Sequence, residues 1–233
     1  MALAGTRILV GAPGADGDAP NAGAAYVYDF AGSWSETSRL ARHGDDADAS
    51  AGFGGDVALT PGHALVGAAN EATGPDVTST GAVHAFADDA LGEFAPVHSL
   101  TASTSEDVFT FGRRFGLADG RLVASHGAAT DVYRRDPGGW SLEQAIPGPA
   151  SRTVTGASTD GTRAVVTSRS SLAPHGVAHG YGRGPGGAWA PDQAAEAGPL
   201  GFPSAGQDGR ARKSGHCGAA PGPPGPPQQG SDG

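Results

Sequence analysis

The sequence predicts an all-β fold built from about four copies of one short four-stranded unit, followed by a disordered Gly/Pro-rich tail. Three observations predict it. A short apolar run recurs as Leu9-Val10-Gly11-Ala12, Leu65-Val66-Gly67-Ala68, Leu122-Val123-Ala124-Ser125 and Val165-Val166-Thr167-Ser168, at spacings of 56, 57 and 43 residues. After each run stand two aromatic residues six to eight positions apart: Tyr28 and Trp34, Phe86 and Phe94, Tyr133 and Trp140, Tyr181 and Trp189. Finally, Gly (40) and Pro (18) punctuate the 233-residue chain at the density that tight turns require, and no segment carries the apolar period of a helix.

Each element of the unit has its own signal. A glycine turn (Gly5, Gly62, Gly120, Gly161) precedes each apolar run, and a strand-like stretch such as Asp56-Val57-Ala58-Leu59 precedes the turn, which together read as a hairpin. A polar loop follows the run. A second hairpin then begins with alternating large and small side chains, as in Ala24-Ala25-Tyr26-Val27-Tyr28, the pattern of a strand with two unlike faces. Between the two aromatics lie the turn residues Ala31-Gly32, Leu91-Gly92, Pro137-Gly138-Gly139 and Pro185-Gly186-Gly187. Strands are therefore expected near 7–11, 24–28, 55–59, 64–68, 81–86, 114–117, 121–125 and 163–167.

A four-stranded unit of this size cannot bury both faces alone, so the copies must stack on one another. Radial stacking gives a β-propeller. Phe53-Gly54, then Asp56-Val57-Ala58-Leu59, then Leu65-Val66-Gly67-Ala68 resembles one full FG-GAP repeat, the blade of the integrin α-subunit head and of many bacterial and archaeal surface proteins. Phe111-Gly112 opens a second such repeat, and Gly11-Ala12-Pro13 supplies an intact GAP. The resemblance covers residues 1 to about 190 and fades in the fourth copy, which keeps its spacing and Trp189. The first copy begins at Ala2-Leu3-Ala4-Gly5, so its opening strand is short. The resemblance implies a partial or small propeller over residues 1–195, a binding role and an extracellular or cell-surface setting. The N-terminus itself has neither the basic start nor the uninterrupted apolar core of a signal peptide.

Composition narrows the partners. The net charge of −9 comes from the first 170 residues, where 20 Asp and Glu face 11 Arg, so nucleic acid is not expected as a partner. No apolar stretch reaches the roughly 20 residues of a membrane helix, so no membrane insertion is expected. The lone cysteine, Cys217, cannot form an internal disulfide. Residues 196–233 are dominated by Gly and Pro, with Leu200 and Phe202 as the sizeable apolar side chains, too few to offset the entropy of ordering.

In integrin-type repeats a D-x-D-x-D-G-x-x-D loop between the first two strands holds calcium, which wants six to eight oxygens. The matching turns here, Thr60-Pro61-Gly62-His63, Ala118-Asp119-Gly120 and Thr159-Asp160-Gly161, carry at most one carboxylate each, so no cofactor is expected there. Two other acidic loops remain as cation candidates. Asp16, Asp18 and Asn21 form the better one, and Asp45, Asp46 and Asp48 the other; both also read as solvated turns whose side chains cap their own backbone. The eight histidines lack metal-ligand spacing, and no serine sits in a nucleophile elbow. Arg113-Arg114 and Arg134-Arg135 read as strand-edge protection or as contacts for an acidic ligand.

The chain is thus expected to be a non-catalytic binding or scaffolding module that meets a protein or glycan through its blade loops and associates with further repeats or with itself. A truncated or decayed piece of a larger surface protein is the first alternative, and a propeller-type lyase or glycosidase the second. Phe53, Phe111, Trp34 and Trp140 are expected to be buried between sheets, with Phe53, Gly54, Phe111, Gly112, Gly11, Ala12, Pro13, Trp34, Trp140 and Trp189 as the structural signature of the repeat.

Overall fold

Alternation of apolar and polar residues, broken every few positions by a glycine turn, yields sixteen β-strands in four antiparallel sheets among the described residues. The computed structural model describes residues 1–16, 19–42, 51–72, 80–89, 91–104, 111–126, 129–147, 153–169 and 176–196. Blade 1 holds β1 (Ala2–Ala4), β2 (Arg7–Ala12), β3 (Ala24–Phe30) and β4 (Trp34–Leu40). Blade 2 holds β5 (Phe53–Thr60), β6 (His63–Ala68), β7 (Ala82–Asp88) and β8 (Phe94–Thr101). Blade 3 holds β9 (Phe115–Ala118), β10 (Arg121–Ser125), β11 (Ala129–Asp136) and β12 (Gly139–Pro147). Blade 4 holds β13 (Thr153–Thr159), β14 (Arg163–Arg169), β15 (Val177–Arg183) and β16 (Trp189–Glu196). No described residue is helical, so no helix is long and apolar enough to cross a membrane.

In every blade the strands pair in chain order, each with its sequence neighbour, so every intra-blade connection is a hairpin. All eight expected strands are present within two residues of their expected ends. The opening strand of blade 1 is indeed short, three residues against eight for β5. Blade 4 forms a complete sheet although its signature residues have largely gone. The tail, with Lys213 and Cys217, lies at 197–233, outside the described residues.

The blades stack in sequence, as in a β-propeller. The first strands adjoin one another, β1 with β5, β5 with β9 and β9 with β13. Each inner blade uses its two faces for two neighbours, because successive side chains point to opposite sides. Leu9, Ala25, Val27 and Leu40 of blade 1 meet Val57, Ala64, Val66 and Phe86 of blade 2 in one buried cluster. Leu65, Val83, Ala85 and Leu100 meet Phe115, Leu122, Tyr133 and Trp140 in a second. Val123, Val132 and Ile146 meet Ala164, Val166, Tyr181 and Trp189 in a third. Four blades thus share three cores; among the described residues no such cluster joins blade 4 to blade 1.

The register corrects one alignment. Leu9 pairs with Val27, Leu65 with Ala85, Val123 with Val132 and Val165 with Gly180, which makes these four residues equivalent. The repeated run in copy three therefore aligns on Val123, not Leu122. A one-residue slip exchanges the two faces of a strand, and Leu122 accordingly packs toward blade 2 while Val123 packs toward blade 4.

A second correction concerns Trp34. Phe53, Phe111 and Trp140 are buried, at 1%, 0% and 7% exposure, but Trp34 is 46% exposed. Its equivalents Phe94, Trp140 and Trp189 pack against the preceding blade. Among the described residues no blade covers the corresponding face of blade 1, and Trp34 stacks on Phe30 with ring centroids 5.2 Å apart.

Candidate functional site

Pairing in chain order sorts the connections by length. One end of the blades carries the tight turns at Gly5–Thr6, Pro61–Gly62 and Asp119–Gly120 and those between the third and fourth strands. The other end carries the connections 13–23, 69–81, 126–128 and 170–176 within blades and 41–52, 102–114 and 148–152 between them. Specific contacts come from such loops, held by a rigid scaffold.

Buried polar residues tie these connections down. In blade 2, the Glu71 carboxylate stands 2.6 Å from His84 Nε2 and 3.5 Å from the Arg42 guanidinium, linking the 69–81 loop, β7 and the connection out of blade 1. In blade 3, Asp131 on β11 accepts hydrogen bonds from the Ser103 amide at 2.7 Å and the Ser103 hydroxyl at 2.6 Å, and lies 3.2 Å from His126 Nε2. Asp131 and His126 have fully buried side chains. The Nδ1 atoms of His84 and His126 are buried without a hydrogen-bond partner. Each imidazole instead leans on a signature phenylalanine, His84 at 5.5 Å from Phe53 and His126 at 6.1 Å from Phe111. Burial, with Asp131 adding to it, pushes the Tyr133 phenol up, and its hydroxyl donates to the Thr101 carbonyl. Sequence reasoning missed both carboxylate–imidazole pairs, because their members are 13 and 5 positions apart and match no motif.

The signature dipeptides are joints. Phe53-Gly54 of blade 2 enters blade 1 beside Gly11 and Gly23: the Phe53 amide donates to the Ala22 carbonyl at 3.2 Å, and Gly23 bridges Phe53 in parallel. A Cβ on Gly11 would lie 2.9 Å from the Gly54 carbonyl carbon, and one on Gly54 would lie 2.8 Å from the Ala12 amide nitrogen. Gly54 also has φ +93, a conformation that favours glycine. The same arrangement recurs one blade on, where Gly112 (φ +78) abuts Gly67 and Ala82 and the Phe111 carbonyl abuts Gly81. Joint three has no Phe-Gly. There Gly116 approaches the Ser158 Cα, where an added Cβ would lie at 2.7 Å, and the Gln144 amide brackets the Trp189 backbone with two hydrogen bonds of 2.8 Å.

Charges clip the turn end of each joint. Arg7 holds Asp29 at 2.8 Å, reaches Asp88 of blade 2 at 3.2 Å and stacks over Phe94 with its guanidinium carbon 5.1 Å from the ring centre. His63 meets Arg135 of blade 3 at 2.7 Å, and Glu143 holds both Arg121 (2.9 Å) and Arg183 of blade 4 (3.0 Å). Arg134-Arg135 therefore protects no strand edge, since β11 is an interior strand and Arg135 belongs to a joint. Arg114 turns back onto the Arg113 carbonyl at 2.7 Å.

The Arg7 hydrogen bond holds the Asp29 carboxyl below the usual range against an opposing effect of burial. A carboxyl lowered on folding contributes stability above its unfolded value, about 3.9, and loses it as pH falls through the folded value. The pair is partly exposed, so Asp29→Asn should cost about 0.5–1 kcal/mol at pH 7. It should cost nothing measurable near pH 2; an equal loss at both pH values in urea titrations would refute the charge pairing.

The cation candidates are only partly visible. Asp16 is exposed and its Oδ1 accepts the Asn21 amide at 3.1 Å, while Asn21 has φ 55, the geometry of a side chain capping its own turn. Asp18 and Asp45, Asp46 and Asp48 lie outside the described residues. Asp160 spends its carboxylate on the Thr162 amide and hydroxyl and the Arg163 amide, all at 2.7–2.8 Å. Among the described residues no group of three or more His, Cys, Asp or Glu is arranged around a common point. Millimolar calcium should leave the melting temperature unmoved; a rise of several degrees would show binding at Asp16, Asp18 and Asn21, because a ligand of the folded state must stabilise it.

Against this geometry, the comparisons with known proteins give one family match. Residues 1–28, which span β1, β2 and β3 as far as Tyr28, match the FG-GAP repeat family model. Among curated proteins none matches the chain. A crystal structure of a protein from Lactobacillus plantarum superposes with a TM-score of 0.47 at 17% identity, covering 75% of this chain and 51% of that one. The chain thus spans about half the length of that protein.

Proposed function

We propose that this chain is a non-catalytic binding or scaffolding module whose blades hold the long connections at one end for contact with a protein or glycan. The observation that carries the reading is the use made of the buried polar groups. Glu71, His84, Asp131 and His126, residue types a lyase or glycosidase would place in an open cleft, are spent instead on one another and on Arg42 and Ser103, with both imidazoles sealed from solvent. Acid–base chemistry requires the group to reach the substrate proton within hydrogen-bond distance, and sealed groups do not. The FG-GAP repeat at residues 1–28 supports the same reading, since such repeats form blades that present loops.

A glycan array and an immobilised-protein panel test it, with mass spectrometry of any glycan recovered. The expected result is retention of an intact ligand, lost when residues 13–22 are replaced by a Gly/Ser stretch of equal length while the melting temperature holds. Recovery of cleaved or unsaturated glycan would instead favour the enzyme reading.

A further inference from the structure

Among the described residues, no blade packs on the outer sheet face at either end of the stack, and the internal joints show what covers each kind. At every joint an aromatic-bearing face of the later blade packs on a small, aliphatic face of the earlier one. Blade 1 presents the first kind. Tyr28 and Phe30 on β3 are equivalent to Phe86 and Asp88, and Trp34 to Phe94, by their pairing with Ile8, Trp34 and Phe30. Leu3, paired with Ile8, lies on the same face; Leu3, Phe30 and Trp34 are 64%, 46% and 46% exposed.

Blade 4 presents the second kind. Val165 is equivalent to Leu9 and is 46% exposed, and its neighbours on that face, Gly180 and Ala178, are small. Arg163 is exposed at the position of Arg7, the residue that stacks on Phe94 across the first joint. Since Phe94 corresponds to Trp34, the face-on-face packing of the first joint, without its Phe-Gly seat because Thr167 stands at the Gly11 position, would set Arg163 over Trp34 between blade 4 and a following blade 1, a cation–π contact like the one already present.

We propose that blade 4 of one copy packs on blade 1 of a second copy, head to tail, and that two copies joined at both ends close a ring of eight blades. The occupant is a second copy because the aromatic face of blade 1 and the small, aliphatic face of blade 4 are of the two kinds that meet at the internal joints, whereas blade 1 against blade 1 would set aromatic face on aromatic face, with Arg7 on the opposite side of the sheet. Heterologous faces build open filaments unless the rotation closes, and about eight blades is the upper size of known propeller rings.

Sedimentation velocity on the full chain tests this, using the wild type, Trp34→Asp and Val165→Arg. Both positions are half exposed, and a thermal melt accompanies each variant; where a melt falls, Phe30→Ser replaces the first and Thr167→Arg the second. The expected result is a discrete species of twice the chain mass for the wild type and monomer for either variant. A wild type that stays monomeric at every concentration overturns the proposal. So does a pair of copies broken by Trp34→Asp but not by Val165→Arg, which would mean pairing through blade 1, and so does growth beyond two copies.

Discussion

Replacing Phe53 by Ala is expected to lower the unfolding free energy by about 3–5 kcal/mol, the range for deleting a buried aromatic ring. The ring is 1% exposed, edge-on to Phe86 at 6.2 Å and to His84 at 5.5 Å, and its backbone forms the joint with Ala22 and Gly23. A cavity there weakens both blade 2 and its seat on blade 1. Because stacked repeats are stabilised through their neighbour interfaces, the urea transition should also broaden as blade 1 uncouples. Trp34→Ala is the control: a larger side chain, half exposed and without a covering blade, it should cost less than about 1 kcal/mol. Equal losses for the two variants would contradict the assignment of faces.

The second large effect is expected at Asp131. Removing a buried hydrogen-bonding group typically costs about 1–3 kcal/mol for each partner it leaves unsatisfied, since the groups left behind stay desolvated. Asp131→Ala would leave the Ser103 amide, the Ser103 hydroxyl and the fully buried His126 Nε2 without the carboxylate they face. Asp131→Asn keeps the size and one carbonyl oxygen for the Ser103 amide, so its loss should be clearly smaller. Chemical denaturation of both variants decides the matter. If Ala were tolerated as well as Asn, the polar post holding the 102–114 connection to blade 3 would not exist.

The fold was legible because the joint chemistry is local in sequence. Leu65-Val66-Gly67-Ala68 and Phe53-Gly54 each announce a strand and a close approach within a few residues, and the aromatics at Tyr28, Phe86, Tyr133 and Tyr181 mark equivalent positions in β3, β7, β11 and β15. What escaped depends on which face a residue occupies and on what lies across from it. Leu122 and Val123 are both apolar, so composition could not say which of them continues Leu9 and Leu65; only the pairing with Tyr133 and Val132 does. Trp34 looks like Trp140 in sequence, yet among the described residues no blade packs on its face, and its exposure follows from that rather than from its own strand. The carboxylate–imidazole pairs were invisible for a related reason. Asp131 occupies the position of His84 in the register, so the same loop-holding task is done with the two residue types exchanged between strand and loop.

The central claim is that each Phe-Gly dipeptide seats its blade on a glycine of the preceding one. Hα–Hα nuclear Overhauser contacts in a glycine-labelled sample read this directly, since only two glycine backbones pressed together bring those protons within reach. The structure predicts cross-peaks between Gly11 and Gly54 and between Gly67 and Gly112. Intact sheets with neither cross-peak would show blades that fold without seating on one another, and would contradict the account.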